Sequence, residues 1–150
     1  MTDNVLIKNV LLPTDFNPTI SKSIPYAVSL CRWTGAQLYV LITYRLIENT
    51  SHMSDKKSIR SYLEEQAQKK MELIQQNCLG DNGIHCRFLL EVGFLFDRIQ
   101  TNILNQNIDL LILDEEIEKI MDVSSEIQHS TLLHELSCPI MYIPANKIMI

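Results

Sequence analysis

Two stretches of the chain, NVLLP at 9–13 and QLYVLITY at 37–44, carry apolar residues on consecutive positions, and IDLLIL at 108–113 and PIMYI at 139–143 repeat the habit. A strand of this kind has no face to give to water, so both faces of its sheet must be covered. The segments between the runs have helical spacing instead. Ile20, Ile24, Ala27, Val28 and Cys31 lead up to Gly35, and Ile59, Leu63, Ala67, Met71, Ile74 and Cys78 lead up to Gly80. Leu95, Phe96, Ile99 and Ile103 follow Gly93. Strands alternating with helices require a parallel α/β sheet, helices on both faces and right-handed crossovers. Ligands of such sheets sit at the carboxyl ends of the strands, where the winding direction reverses.

Local signals set the expected boundaries. Asn17 is placed to cap the first helix, with Pro18 at its first position. Pro25 should kink that helix or mark where its regular part begins. A polar stretch at 48–57 leads into the long second helix, which GDNG at 80–83 closes. In IHCRFLLEV (84–92), Ile84, Cys86, Phe88, Leu90 and Val92 fall on one side and His85, Arg87 and Glu91 on the other, the mark of a half-exposed edge strand. Ser125 and Gln128 form a capping box for a last helix that ends before Pro139. The 150 residues suit one domain, 1–150, with no linker or repeat.

Composition excludes several classes. A net charge of -5 leaves no basic face for nucleic acid or an anionic membrane. No apolar run approaches the roughly 20 residues that span a bilayer, and MTDNVLIKNV is unlike a secretory signal. Cys31, Cys78, Cys86 and Cys138 form no C-x-x-C pair and are expected to be reduced, mostly buried thiols of a cytoplasmic protein. His52, His85, His129 and His134 lack metal-ligand spacing relative to them, so no metal site is expected. His129 and His134 lie five apart with no Ser or Cys nucleophile at recognisable spacing, so no catalytic residue is expected. Trp33, Met71, Met121 and Met141 are expected to fill core or interface gaps.

The stretch NVLLPTDF…SIPYAVSLCRWTGAQLYVLITY (9–44), with EVG (91–93), NIDLLIL (107–113) and SCPIMYIP (137–144), resembles the universal stress protein family along nearly the whole chain. The resemblance implies a five-stranded sheet of order 3-2-1-4-5, of the adenine nucleotide alpha hydrolase-like kind, with Asp15 and Asp114 at the switch point. It implies that Pro13, Thr14, Asp15, Thr43 and Asp114 surround any ligand, since ATP-binding relatives hold the nucleoside with the strand-1 Asp and a strand-2 residue. Relatives cradle the phosphates on a loop after strand 4 of pattern G-x2-G-x9-G-[S/T]. Here the corresponding positions carry Asp114, Ile117 and Glu126-Ile127, and no glycine follows Gly93.

The physics agrees with the missing pattern. Phosphate loops need glycine so that backbone N–H groups can turn inward. An acid about 5 Å from a phosphate charge repels it by roughly 0.8 kcal/mol in water and more near protein. Asp114, Glu115, Glu116 and Glu118 together outweigh the roughly 0.3–1 kcal/mol of a helix N-terminus. ATP binding in the family manner is therefore expected to be absent, with no cofactor. Asp15 has a second reading as the cap of its own turn, Thr43 as a plain strand residue, and the acids as a solvated loop.

The expectation is a non-enzymatic stress-response module acting through contacts with a protein partner the sequence does not identify. An adenosine- or AMP-binding regulator built on the Asp15 pocket is the alternative, and a metal-dependent hydrolase using the acids comes after it. The family also commonly dimerises through its last strand, so Pro139, Ile140, Met141, Tyr142 and Ile143 form the expected homodimer edge.

Overall fold

The computed structural model describes residues 6–17, 21–45, 53–80, 83–121 and 133–144. Its strands are β1 (Asn9–Pro13), β2 (Gln37–Tyr44), β3 (Cys86–Val92), β4 (Leu110–Asp114) and β5 (Ile140–Ile143). All pairings are parallel, in the order β3-β2-β1-β4-β5, with β3 at an edge. The helices are α1 (Ser23–Thr34), α2 (Met53–Ile74), α3 (Leu95–Asn105) and α4 (Glu115–Ile120).

The consecutive apolar residues divide between two half-cores. Val10, Leu12, Leu38, Val40, Leu110 and Ile112 meet Ile24, Ala27, Val28 and Cys31 of α1 and Ile74 of α2. Their neighbours Leu11, Leu41, Leu111 and Leu113 meet Leu95, Phe96, Ile99 and Ile103 of α3 and Ile117 of α4. At about 25 cal/mol per Å² of apolar surface, burial on both faces is the main force holding each strand. At the amino end of the sheet, the Asp109 carboxylate accepts N–H bonds from Lys8 and Asn9, both 2.9 Å, and so fixes β4 against β1.

Helix α1 begins later than the Asn17-Pro18 signal implies. Lys22 is its N-cap, and the Asn17 N–H instead donates to Asp15 Oδ1 at 3.1 Å, a turn of the chain on itself. Pro18 and Ile20 lie outside the described residues. Pro25 is the third residue of α1, where a missing N–H costs no helical bond, so it marks the regular start. Gly35 ends α1 in the left-handed region (φ 76), with its N–H on Cys31 O at 2.8 Å.

Helix α2 widens into a π-turn, Gln75–Leu79, closed by the Gly80 N–H on Gln75 O. Val92, expected inward on β3, is exposed, and Glu91, expected outward, is half-buried. Trp33, expected in a core or interface gap, is 87% exposed on the outer face of α1. Met121 is buried, while Met71 and Met141 are half-buried. The Ser125–Gln128 capping box and His129 lie outside the described residues. A short 3-10 turn, Leu133–Glu135, precedes β5 and leaves His134 exposed. Among the described residues no helix is long and apolar enough to cross a membrane.

Cys31, Cys86 and Cys138 are free thiols. Burial pushes the Cys31 thiol from 9.0 up to about 11. Burial, and then the nearby Cys31, push Cys86 up to about 12. Each folded-state value lies above the unfolded one, so the contribution to stability is full below about pH 9 and is lost as pH rises toward 11–12. Iodoacetamide at pH 7.5 should leave both residues unmodified in the folded protein and label them in urea, as peptide mass spectrometry would show. Labelling of either at the unfolded rate contradicts the burial.

Candidate functional site

A cleft of about 430 Å³ opens over the carboxyl ends of β1 and β2. Its floor comes from the strand ends themselves: Thr14, Asp15 and Phe16 after β1, and Thr43, Tyr44 and Arg45 at the end of β2. Ile59 and Leu63 of α2, Gly93 and Leu95 at the start of α3, and Ile120 of α4 complete the walls. The volume falls within the roughly 300–1,000 Å³ of small-molecule sites.

Each residue is held by its own local chemistry. The Thr14 N–H donates to Leu41 O at 2.9 Å, continuing the β1–β2 ladder one residue past the strand. Its side chain is 4% exposed, and the Oγ1 has no hydrogen-bond partner among the described residues. Tyr44 directs its hydroxyl to Glu64 Oε1 at 3.3 Å, while Arg60 Nε donates to that hydroxyl at 3.4 Å. Arg45 lies over the Phe94 ring, 4.3 Å from its centroid. Gly93 has φ 140, and a Cβ there would lie 3.0 Å from Cδ of Arg98, so glycine keeps the turn into α3 open. Glu91 in turn accepts from Arg98 Nε at 2.9 Å and from Asn102 Nδ2 at 2.7 Å.

Of the residues selected from sequence, Thr14, Asp15 and Thr43 line this cleft. Pro13 is buried at the end of β1 and Asp114 at the end of β4, and neither lines it. Asp15 carries two roles together: it faces the cleft and caps the Asn17 turn. It is also paired with Lys70 of α2, whose Nζ lies 3.5 Å from Oδ1. Lys70 is 2% exposed and also donates to the carbonyl of Asn17. The sequence offered one clue to this lysine: it stands three residues after Ala67 and four before Ile74, on the buried stripe.

Asp114 and the acids after it correct the picture of a solvated loop. Asp114 is 7% exposed and is the N-cap of α4, accepting the Ile117 N–H at 2.7 Å on Oδ1. Its Oδ2 accepts the hydroxyls of Ser21 at 2.5 Å and Ser23 at 2.9 Å. Oδ1 thus caps α4, while Oδ2 ties the end of β4 to the start of α1. Glu115, Glu116 and Glu118 form the first turn of α4, where negative charge suits the helix dipole. Among the described residues, no three His, Cys, Asp or Glu side chains are grouped to hold a metal ion.

A parallel five-stranded sheet of this order is an adenine nucleotide alpha hydrolase-like α/β fold. The comparisons then narrow the likeness. No family model matches the sequence, and no curated protein matches it. Solved structures do match, and they show that the chain has the fold of the universal stress proteins. Universal stress protein UspA from Lactobacillus plantarum is similar at 15% identity over 93% of this chain and 99% of its own, with a TM-score of 0.70. A universal stress protein family member from Burkholderia pseudomallei is 15% identical over 93% and 97%, with a TM-score of 0.62. A family protein from Arabidopsis thaliana, solved with AMP bound, is 15% identical over 93% and 92%, with a TM-score of 0.53.

Proposed function

We propose that this protein is a non-enzymatic, cytoplasmic regulatory module of the universal stress protein kind, which does not hold ATP and works as a homodimer through protein contacts. One observation carries the reading. Where the fold would cradle phosphates after β4, the chain forms α4 with Glu115, Glu116 and Glu118 in its first turn and Asp114 turned inward as its cap. That arrangement presents charge of the wrong sign for a triphosphate and no glycine to admit one.

Melting temperature with ATP·Mg²⁺, AMP and adenosine tests it, since a ligand at a hundredfold its Kd adds about 2.7 kcal/mol of stability. No shift is expected with ATP·Mg²⁺, and a shift would sink the reading. A shift with AMP or adenosine alone favours the alternative of a nucleotide-binding regulator. That alternative is supported by Thr14, Asp15 and Thr43 lining one cleft and by the AMP bound to the Arabidopsis thaliana neighbour.

The dimer is supported by β5, which pairs with β4 on one side and is the sheet's edge on the other. Tyr142 is 44% exposed there. Sedimentation equilibrium should give twice the chain mass. Tyr142→Glu, beside Glu115 and Glu118, should shift it toward the monomer. A single-chain mass for the unaltered protein overturns the dimer.

A further inference from the structure

The residues lining the cleft over β1 and β2 include two charged side chains, Asp15 and Arg45, and both are already engaged. Asp15 pairs with Lys70 and accepts the Asn17 N–H. Arg45 lies over the Phe94 ring, 4.3 Å from its centroid. The Tyr44 hydroxyl is committed as well, to Glu64 and Arg60. A charged group entering this cleft would exchange water for walls whose own charges already have partners, and such burial is costly.

The rest of the lining favours an apolar body. Phe16, Leu63 and Leu95 contribute to the walls. Ile59 at 37% and Ile120 at 56% exposure add apolar surface that is open to solvent. Such surface gains by being covered. Thr14 lines the same cleft, and its Oγ1 is buried without a hydrogen-bond partner among the described residues. A hydroxyl left in that condition is a standing cost that one hydrogen-bonding atom removes.

We propose that the cleft binds an uncharged, largely apolar small molecule with one hydrogen-bonding group, of the fatty or aromatic alcohol type. Thr14 reaches that group by at most one step between staggered χ1 positions. The proposal rests on the reading that no triphosphate is held, and names what the same cleft takes instead.

The probe is N-phenyl-1-naphthylamine, an uncharged dye, followed by fluorescence with the full chain. Decanol, decanoate and decylammonium compete with it. The expected result is one site per chain, with decanol at least about tenfold tighter than either charged chain. Thr14→Val should weaken decanol about fivefold, the loss of one neutral hydrogen bond. Ile59→Gln and Ile120→Gln lie at exposed positions, so they keep the core, and each should weaken the dye. Trp33→Ala, on the outer face of α1, should change nothing. Decanoate or decylammonium binding as tightly as decanol overturns the proposal. So does decanol affinity unaltered in Thr14→Val, dye affinity unaltered in both glutamine variants, or dye binding lost in Trp33→Ala. Adenosine that displaces the dye more tightly than decanol also overturns it, by giving the cleft to a nucleoside. Displacement of the dye by ATP·Mg²⁺ instead overturns the reading beneath it, so the two failures are told apart.

Discussion

Asp114→Ala lowers the unfolding free energy by about 2–4 kcal/mol. The substitution removes the cap of α4, worth about 0.5–2 kcal/mol, and the charged acceptor of two serine hydroxyls, worth about 1.5–3 kcal/mol each when buried. These terms do not simply add. Ser21 and Ser23 Oγ lie 2.5 Å apart and can turn to each other when the carboxylate is gone, which recovers part of the loss. Asp114→Asn keeps an acceptor for the Ile117 N–H and should cost about half as much. Urea unfolding with an unchanged slope measures both, and hydrogen exchange at Ile117 should rise in the alanine variant alone. A loss under about 0.5 kcal/mol with Ile117 still protected would mean that the carboxylate neither caps α4 nor holds β4 to the start of α1.

Lys70→Met is the second large effect. The methionine keeps most of the buried stem, so little packing is lost. What goes is the ammonium, and with it the bond to the Asn17 carbonyl and the pair with Asp15. Breaking a fully buried pair costs about 3–5 kcal/mol. Asp15 keeps 29% of its side-chain surface and can hydrate, so about 1–3 kcal/mol is expected. Stability lost by less than about 0.5 kcal/mol would show that the pair adds nothing, as many solvated pairs do not. Lys70→Ala should cost more than Lys70→Met, because it also leaves a cavity.

The strands were the most legible part of the sequence, and the reason is physical. Doubly buried strands such as β1 and β2 are written in consecutive residues, so their ends, Asn9–Pro13 and Gln37–Tyr44, agree with the pattern. The start of α1 was misread because Asn17 followed by Pro18 is good chemistry for a helix cap and also for a tight turn. Only the Asp15 contact decides between them. The inward turn of Asp114 was illegible for a different reason. Its serine partners lie 91 and 93 residues away in the chain, and no local pattern encodes that meeting. Lys70 fell between the two cases. Its place on the apolar stripe could be read, but its partner on the β1–α1 turn could not.

The sheet also decides which substitutions can feel one another. Leu11 and Leu12 are joined by a peptide bond yet face opposite half-cores, so a void beneath one is sealed from the other by a wall of hydrogen-bonded backbone. Leu12 shares its half-core with Ile24 of α1, and Leu11 with Ile99 of α3. Energetic kinship in this chain therefore follows parity along the strands: alternate residues are relatives, and adjacent ones are strangers.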